Sequence, residues 1–520
     1  MLLLTHEASR KLDEYLINTI GMPENILVEH AAAAIADACI RNLDKDGKCA
    51  GYRKTHIFAG KGMNGQDAYA CARILFESGY EIAIWDVFPG SDEIDPSNLQ
   101  KRLCINLGMK INPANGFVPE DNILIVDGIF GTAFTLSKSL TPRLIDLFKK
   151  INACYEMNSY IIAVDLPSGV VTDTGEASTY TISANETITF FLPKIGIYSY
   201  PGRKYAGRIS VDHLGFSFER INHIIGQTFT GYLPQMIDID MAYKWVPHRN
   251  IDGHKGTFGS AGIIGGSKGM AGSICLSAMA CMRCGIGLAY VRVPGRIIAQ
   301  CLAVIPEALI SSDYTSALND TDAVLIGPGM DKTRKSMGVL WGAILDIPHL
   351  VLDAQALNIL AGDPDKLKDH VMSRKKKNLP WIILTPHPGE FKRLAPELTI
   401  TSRIEAAVSA AKRINAVIVL KGAGTVIAAP DGRVLINTSG NSAMAKGGSG
   451  DVLSGMITAF LSQGKDPLYA AAFAVFLHGL CGDLAALDLG EFSAMPVDFI
   501  AKLPEALRLT GARRDILTNA

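Results

Sequence analysis

Residues 441–461 read NSAMAKGGSGDVLSGMITAFL, a glycine-rich run that ends in Asp451 and opens directly into an apolar helical pattern. Glycines let successive backbone N–H groups converge on an anion, and the start of a helix adds its positive dipole end. An acidic residue in such a cradle would repel phosphate unless it had a chemical task. A carboxylate placed there can take the proton from a hydroxyl while that oxygen attacks phosphorus. Alone, such a run also serves as an ordinary loop with Asp451 as a helix N-cap, so the decision rests on its companions.

Working upstream, the buried-strand pattern VIVL at 417–420 runs into Lys421-Gly-Ala-Gly-Thr425, a second N–H-rich turn suited to a nucleotide phosphate. WIIL at 381–384 runs into Thr385-Pro-His-Pro-Gly-Glu390, which fixes His387 between two prolines. Gly327-Pro-Gly-Met330 follows its own strand pattern, and His254–Gly259 and Gly265–Gly272 open this half. Asp431-Gly432 between two apolar runs signals a hairpin. Strand patterns also fall at 260–264, 288–293, 323–327 and 350–353.

The other half has the same alternation with different turns. Two helices are expected at Glu7–Ile20 and Glu24–Leu43, then strands at 55–59, 81–87, 123–126, 160–164 and 186–191. Strands alternating with helices imply βαβ units and parallel sheets covered on both faces, with ligands beyond the strands' carboxyl ends. Between 216 and 243 the pattern decays into what reads as a linker. The expected domains are therefore 1–222 and 230–520 in an α/β protein.

A net charge of −1 and sparse aromatics argue against a nucleic-acid partner. The four apolar residues of MLLLTHEASRK are too few for a signal peptide, and the apolar stretch Leu468–Leu477 is too short for a membrane span, so no membrane and a cytoplasmic location are expected. The close pair Cys281 and Cys284 lacks a second pair for zinc and reads as core packing, and no disulfides are expected.

Three turns of the amino-terminal half carry oxygen-bearing side chains: Gly60-Lys-Gly-Met-Asn-Gly-Gln-Asp67, Asp127-Gly-Ile-Phe-Gly-Thr132 and Asp165-Leu-Pro-Ser-Gly169. Hard oxygen donors at Asn64, Asp127, Asp165 and Ser168 suit an alkali or alkaline-earth cation; turn capping is the plainer use of the aspartates.

In order, HKGTFG, GPGM, LDAQAL, TPHPGE, KGAGT and GGSGD resemble the ADP- or ATP-dependent NAD(P)H-hydrate dehydratases of the ribokinase-like superfamily, from about Pro234 to the end. The resemblance implies a ribokinase-like αβα domain. It implies that Lys421, Gly422, Ala423, Gly424, Thr425 and Gly450 bind ADP, with Mg²⁺ screening the phosphates. Ala271, Gly329, His387 and Asp451 would line the hydrated nicotinamide site, Asp451 being the catalytic base. The three amino-terminal turns, with Pro193-Lys-Ile-Gly196, resemble the NAD(P)H-hydrate epimerases over about 5–220, implying a Rossmann-like three-layer αβα domain. By that resemblance Asn64, Asp127 and Ser168 bind K⁺. Met63, Asn64, Gly65, Gln66 and Asp67, with Gly131, Thr132, Ala133, Phe134, Thr135, Leu136 and Ser137, contact the hydrate, and Asp165 is the acid/base. Met63, Gln66, Ala68 and Ala133 depart from the family's asparagine and glycines.

The implied function is bifunctional. An epimerase interconverts the R and S hydrates of NADH and NADPH, and a dehydratase returns the S hydrate to NAD(P)H while ADP becomes AMP and phosphate. A homo-oligomer is expected. A small-molecule kinase acting on a vitamin- or sugar-like alcohol, with a non-catalytic amino-terminal binding module, is the alternative.

Overall fold

The structure, a computed structural model, describes residues 1–43, 52, 54–89, 99–137, 140–314 and 320–511. Cys49 lies outside the described residues. The chain divides into two compact units, Met1–Pro234 and Gln235–Ala520.

The first unit is built on seven strands: β1 Thr55–Ala59, β2 Ile82–Asp86, β3 Ile111–Pro113, β4 Leu124–Gly128, β5 Tyr160–Val164, β6 Glu186–Phe190 and β7 Arg208–Asp212. They pair in parallel in the order β3-β2-β1-β4-β5-β6-β7. β1 and β4 are buried along their whole length, and β5 at every residue but Tyr160, as continuous apolar runs require when helices cover both faces. The chain moves from β1 to β2 and β3 on one side, then returns to β4 on the other. That reversal opens a crevice beyond the carboxyl ends of β1 and β4.

The second unit has ten strands: β8 Gln235–Ile237, β9 Ser260–Ile264, β10 Leu288–Arg292, β11 Leu309–Ser311, β12 Ala323–Ile326, β13 Leu350–Leu352, β14 Ile383–Leu384, β15 Val417–Leu420, β16 Val426–Ala428 and β17 Val434–Asn437. Their order is β11-β10-β9-β12-β13-β14-β15-β16-β17-β8. β16 runs antiparallel to both neighbours, and the other pairs are parallel. The Asp431-Gly432 turn makes the expected hairpin, with Gly432 at φ 97° and Asp431 Oδ1 accepting from Arg433 N at 3.0 Å. The switch here falls between β9 and β12.

Three expectations need correction. The supposed linker holds the helix Phe218–Thr228, β8 and the helix Ile239–Tyr243. Its polar sequence hides an amphipathic helix that buries Ile221, Ile224 and Ile225. The strands β3, β7, β8 and β11 lie at the ends of their sheets, where a strand is specified more by the neighbour it pairs with than by its own pattern. The apolar stretch that ends at His478 belongs to a longer helix, Pro467–Leu489, whose length and mean hydropathy of 1.7 meet the threshold for a span. In this fold 72% of that window is buried inside the unit, as in a core helix. Cys281 and Cys284 are core thiols, and burial pushes both up.

Candidate active sites

In the second unit β13, β14 and β15 end side by side, and each delivers a charged side chain to one place. Lys421 follows β15, and its Nζ lies 2.8 Å from Asp353 Oδ1 and 3.9 Å from Glu390 Oε2. Asp353 follows β13 and is 1% exposed. Glu390 Oε2 also accepts from His387 N at 2.9 Å, and His387 Nε2 is 3.5 Å from Glu390 Oε1. His387 caps the helix Pro388–Leu394 by accepting from Gly389 N, so its ring is held while half of it faces solvent.

The glycine-rich run packs against this cluster. Gly448, at φ 95°, caps the helix Ser449–Ser462, which puts Asp451 in its first turn. A Cβ on Gly450 would lie 3.3 Å from Lys421 Nζ, so the phosphate cradle and the lysine adjoin. Burial first, and then the Asp353 carboxylate, push Asp451 up to about 6, against a hydrogen bond from Ser273 and the attraction of Lys421. For Lys421 burial works against the charge, but Asp353 and Glu390 outweigh it and raise the ammonium above its ordinary value. His478, buried behind the cradle, meets Ser449 Oγ at 3.4 Å. Burial and the Lys421 charge pull it down to about 4, which makes it a neutral imidazole at pH 7.

The other expected residues converge on the same strand ends. Gly329, at φ 63°, sits where a Cβ would meet Met270 O at 2.6 Å, next to Ala271 at the start of the helix Ala271–Arg283. In the KGAGT turn Thr425 Oγ1 donates to Gly422 O at 2.9 Å, and Gly422 adopts φ 140°. Arg403 props the turn from behind through Leu420 O and Lys421 O, at 2.9 and 3.1 Å. Three residues assigned no role from sequence thus belong to the site. Asp353 and Glu390 stand inside quoted motifs, whereas Arg403 left no local signal because its partners lie beyond a helix.

In the first unit the three motif turns meet at the crevice. Asp127 ends β4 fully buried. Its Oδ2 accepts from Ser168 N at 2.8 Å and its Oδ1 from Ser168 Oγ at 2.6 Å. Ser168 Oγ in turn accepts from Phe130 N at 2.9 Å, and Asn64 Nδ2 donates to Val164 O at 2.6 Å and Phe130 O at 3.3 Å. Burial pushes Asp127 up to about 6 despite these bonds. Met63 to Asp67, read from sequence as a turn, form the first turn of the helix Met63–Glu77. Gly65 is forced there, because a Cβ would fall 2.0 Å from Gly60 O. Gly131 abuts the Asn64 amide, while Phe134 is buried against Phe130.

Asp165 follows β5 at φ 65°, a conformation that aspartate tolerates better than most residues. It pairs with buried Lys194 at 2.5 Å. Lys194 is the residue that sequence reading missed here; its signal was the quoted PKIG turn. Asp67 is buried nearby, and burial followed by the Asp165 charge raises it well above the usual carboxylate range.

Two parallel-sheet units, each with a polar site at the carboxyl ends of its strands, define a two-site α/β enzyme. A family model described as NAD(P)H-hydrate dehydratase matches residues 261–505, and one described as YjeF-related protein N-terminus matches 24–196. The bifunctional NAD(P)H-hydrate repair enzyme of Moorella thermoacetica is 33% identical, covering 98% of this chain and 97% of its own. Its counterpart from Escherichia coli is 32% identical, over 86% and 84%. Among solved structures, an ADP/ATP-dependent NAD(P)H-hydrate dehydratase from Bacillus subtilis, co-crystallised with ATP/Mg²⁺, is 31% identical, covers 53% of this chain and 99% of its own, and has a TM-score of 0.47. The chain belongs to the bifunctional NAD(P)H-hydrate repair enzymes, with an epimerase domain followed by an ADP/ATP-dependent dehydratase domain. The small-molecule kinase alternative has correspondingly less support.

Proposed function

We propose that the dehydratase site uses ADP, binding it through Lys421–Thr425 and Gly450, and dehydrates the S hydrate of NADH or NADPH against Ala271, Gly329 and His387. The carrying observation is Asp451, a half-desolvated carboxyl held beside the Lys421 ammonium at the foot of a glycine cradle. Asp451 takes the proton of the hydrate's hydroxyl as that oxygen attacks the terminal phosphoryl group of ADP, whose phosphoanhydride bond breaks with AMP as the leaving group. The carbon–oxygen bond then breaks, phosphate leaves, and loss of a ring proton restores the double bond. His387, fixed by its capping box, orients the ring.

Three carboxyls around one ammonium leave this cradle short of positive charge for a nucleotide, which fits a divalent cation. Asp353 and Glu390 would hold Mg²⁺, which when bound would screen the phosphates. In the other site Asp127 is a buried carboxylate without a cationic partner among its hydrogen-bonded neighbours, and its oxygen-rich surroundings fit a monovalent cation. Asn64, Asp127 and Ser168 would hold K⁺. The stretches Met63–Asp67 and Gly131–Ser137 would contact the hydrate, and Asp165 would exchange a proton with the hydroxyl-bearing centre as it inverts.

Purified protein given NADH hydrate with ADP or ATP tests the reading. Reduced-nicotinamide absorbance should return faster with ADP. No return with either nucleotide, alongside phosphorylation of an alcohol, would sink it. KCl should raise the melting temperature of the amino-terminal unit more than choline chloride does, and equal effects would remove the K⁺ assignment.

A further inference from the structure

We propose that Lys194 is a positioning residue for epimerisation: it occupies one oxygen of Asp165, fixes the orientation of that side chain, and leaves the other oxygen free for the hydrate. The inference rests on the reading of Asp165 as the acid/base.

Asp165 Oδ1 accepts from Lys194 Nζ at 2.5 Å, Thr189 Oγ1 at 2.8 Å and Phe190 N at 3.3 Å. Oδ2 receives none of these bonds. The other buried carboxylates of this unit's sheet are used differently. Glu186 has Ser210 on Oε1 and Arg208 and Tyr160 on Oε2, and Asp127 likewise has both oxygens engaged. A carboxylate saturated on one oxygen and open on the other is oriented to meet a substrate through the open one.

Lys194 is committed to this task. Its remaining donors reach Phe190 O at 2.9 Å and Thr189 Oγ1 at 3.3 Å, so the ammonium has no donor left for a substrate phosphate. Both partners are buried, and desolvating a lysine is costly without such pairing. The amino-terminal residues fix its backbone: Leu4 N donates to Pro193 O at 2.9 Å, and Ile195 N donates to Leu4 O at 3.1 Å. The charged groups around the pair are Asp13 from the helix His6–Asn18, Asp67 from the helix Met63–Glu77, and Glu24 at the start of the helix Glu24–Leu43. All are acidic, so removing the ammonium leaves Asp165 among carboxyls without its cationic partner.

Lys194→Gln and Lys194→Arg in the full chain, assayed with the R hydrate of NADH, test this. In Lys194→Gln, kcat for epimerisation should fall about 100-fold, with KM changed less than about threefold. Lys194→Arg, which keeps the charge and the donors to Asp165, should retain more than a tenth of kcat. A folded Lys194→Gln with kcat within threefold of wild type overturns the proposal. So does a loss carried wholly by KM, or a folded Lys194→Arg as impaired as Lys194→Gln. Should Lys194→Gln lose its amino-terminal melting transition, the arginine variant decides alone. Asp165→Asn separates the two readings: unchanged epimerisation there overturns the acid/base role itself, while loss in Asp165→Asn but not in Lys194→Gln overturns only the lysine's part.

Discussion

Two further carboxyls and one ammonium crowd Asp451, and that balance makes its proposed role as a base testable. With its carboxyl at about 6, a growing fraction is ionised and competent as pH rises through that value. The kcat/KM of dehydration should therefore show an acid limb near pH 6, and a profile flat from pH 5 to 8 would remove Asp451 as the titrating base. The linkage has the opposite sign for stability. A carboxyl raised in the fold binds extra protons there, so its contribution falls as pH rises from the ordinary aspartate range towards about 6. Asp451→Asn should keep the melting temperature within a few degrees and lower dehydratase kcat by at least about 100-fold. Turnover within tenfold of wild type would take it out of the mechanism. At this scale the sequence was informative about candidate side chains, since Asp451, His387, Asp127 and Asp165 all stand in motifs at or beyond strand ends. It was silent about what each touches. Lys194 and Arg403 act across distances that no spacing rule reports.

Elements place those side chains, and the placement has its own weak points. Arg374, on the helix Pro364–Lys376, is buried and donates to the carbonyls of Ile344, Ile347, Pro348 and Pro380, at 2.7 to 2.9 Å. It thereby closes the end of the helix Arg334–Asp346 just before β13, the strand that delivers Asp353. Leaving several buried carbonyls without donors costs about 1–3 kcal/mol each before relaxation. Arg374→Met should accordingly destabilise the carboxy-terminal unit by about 3–5 kcal/mol, the range for breaking a buried charged network. A midpoint of dehydratase loss in urea indistinguishable from wild type would show that the carbonyls find other partners. Gly327 is a second such point: at φ 131°, a Cβ would fall 1.8 Å from Asp353 O. Gly327→Ala should displace Asp353, raising KM for ADP or unfolding the unit, and unchanged kinetics would show that the contact relaxes. The long strands and the Asp431-Gly432 hairpin were legible because burial on two faces and turn chemistry act locally. β3, β7, β8 and β11 were not, because strands of three to five residues at or near a sheet edge are specified by the neighbour they pair with.

For the whole molecule, the two units have separate cores and separate sites, so their activities should be separable by mutation. The Asp165→Asn chain should consume S hydrate at the wild-type rate while R hydrate disappears only as fast as it epimerises spontaneously. Asp451→Asn should interconvert the epimers normally and consume neither. Cross-inhibition, with either change halving the other unit's turnover, would show that the units are coupled. The sequence by itself determined that there are two α/β halves, which turns are candidates for chemistry, and which family the motifs resemble, because strand burial, glycine conformational freedom and motif order are written in local residue types. The tertiary structure alone decided the order of strands, the helix within the supposed linker, and the charge balance of both sites. Three carboxyls gather around Lys421 and another three around Lys194, from segments far apart in the chain. Electrostatic interaction depends on distance and desolvation, and neither exists until the sheet brings the strand ends together.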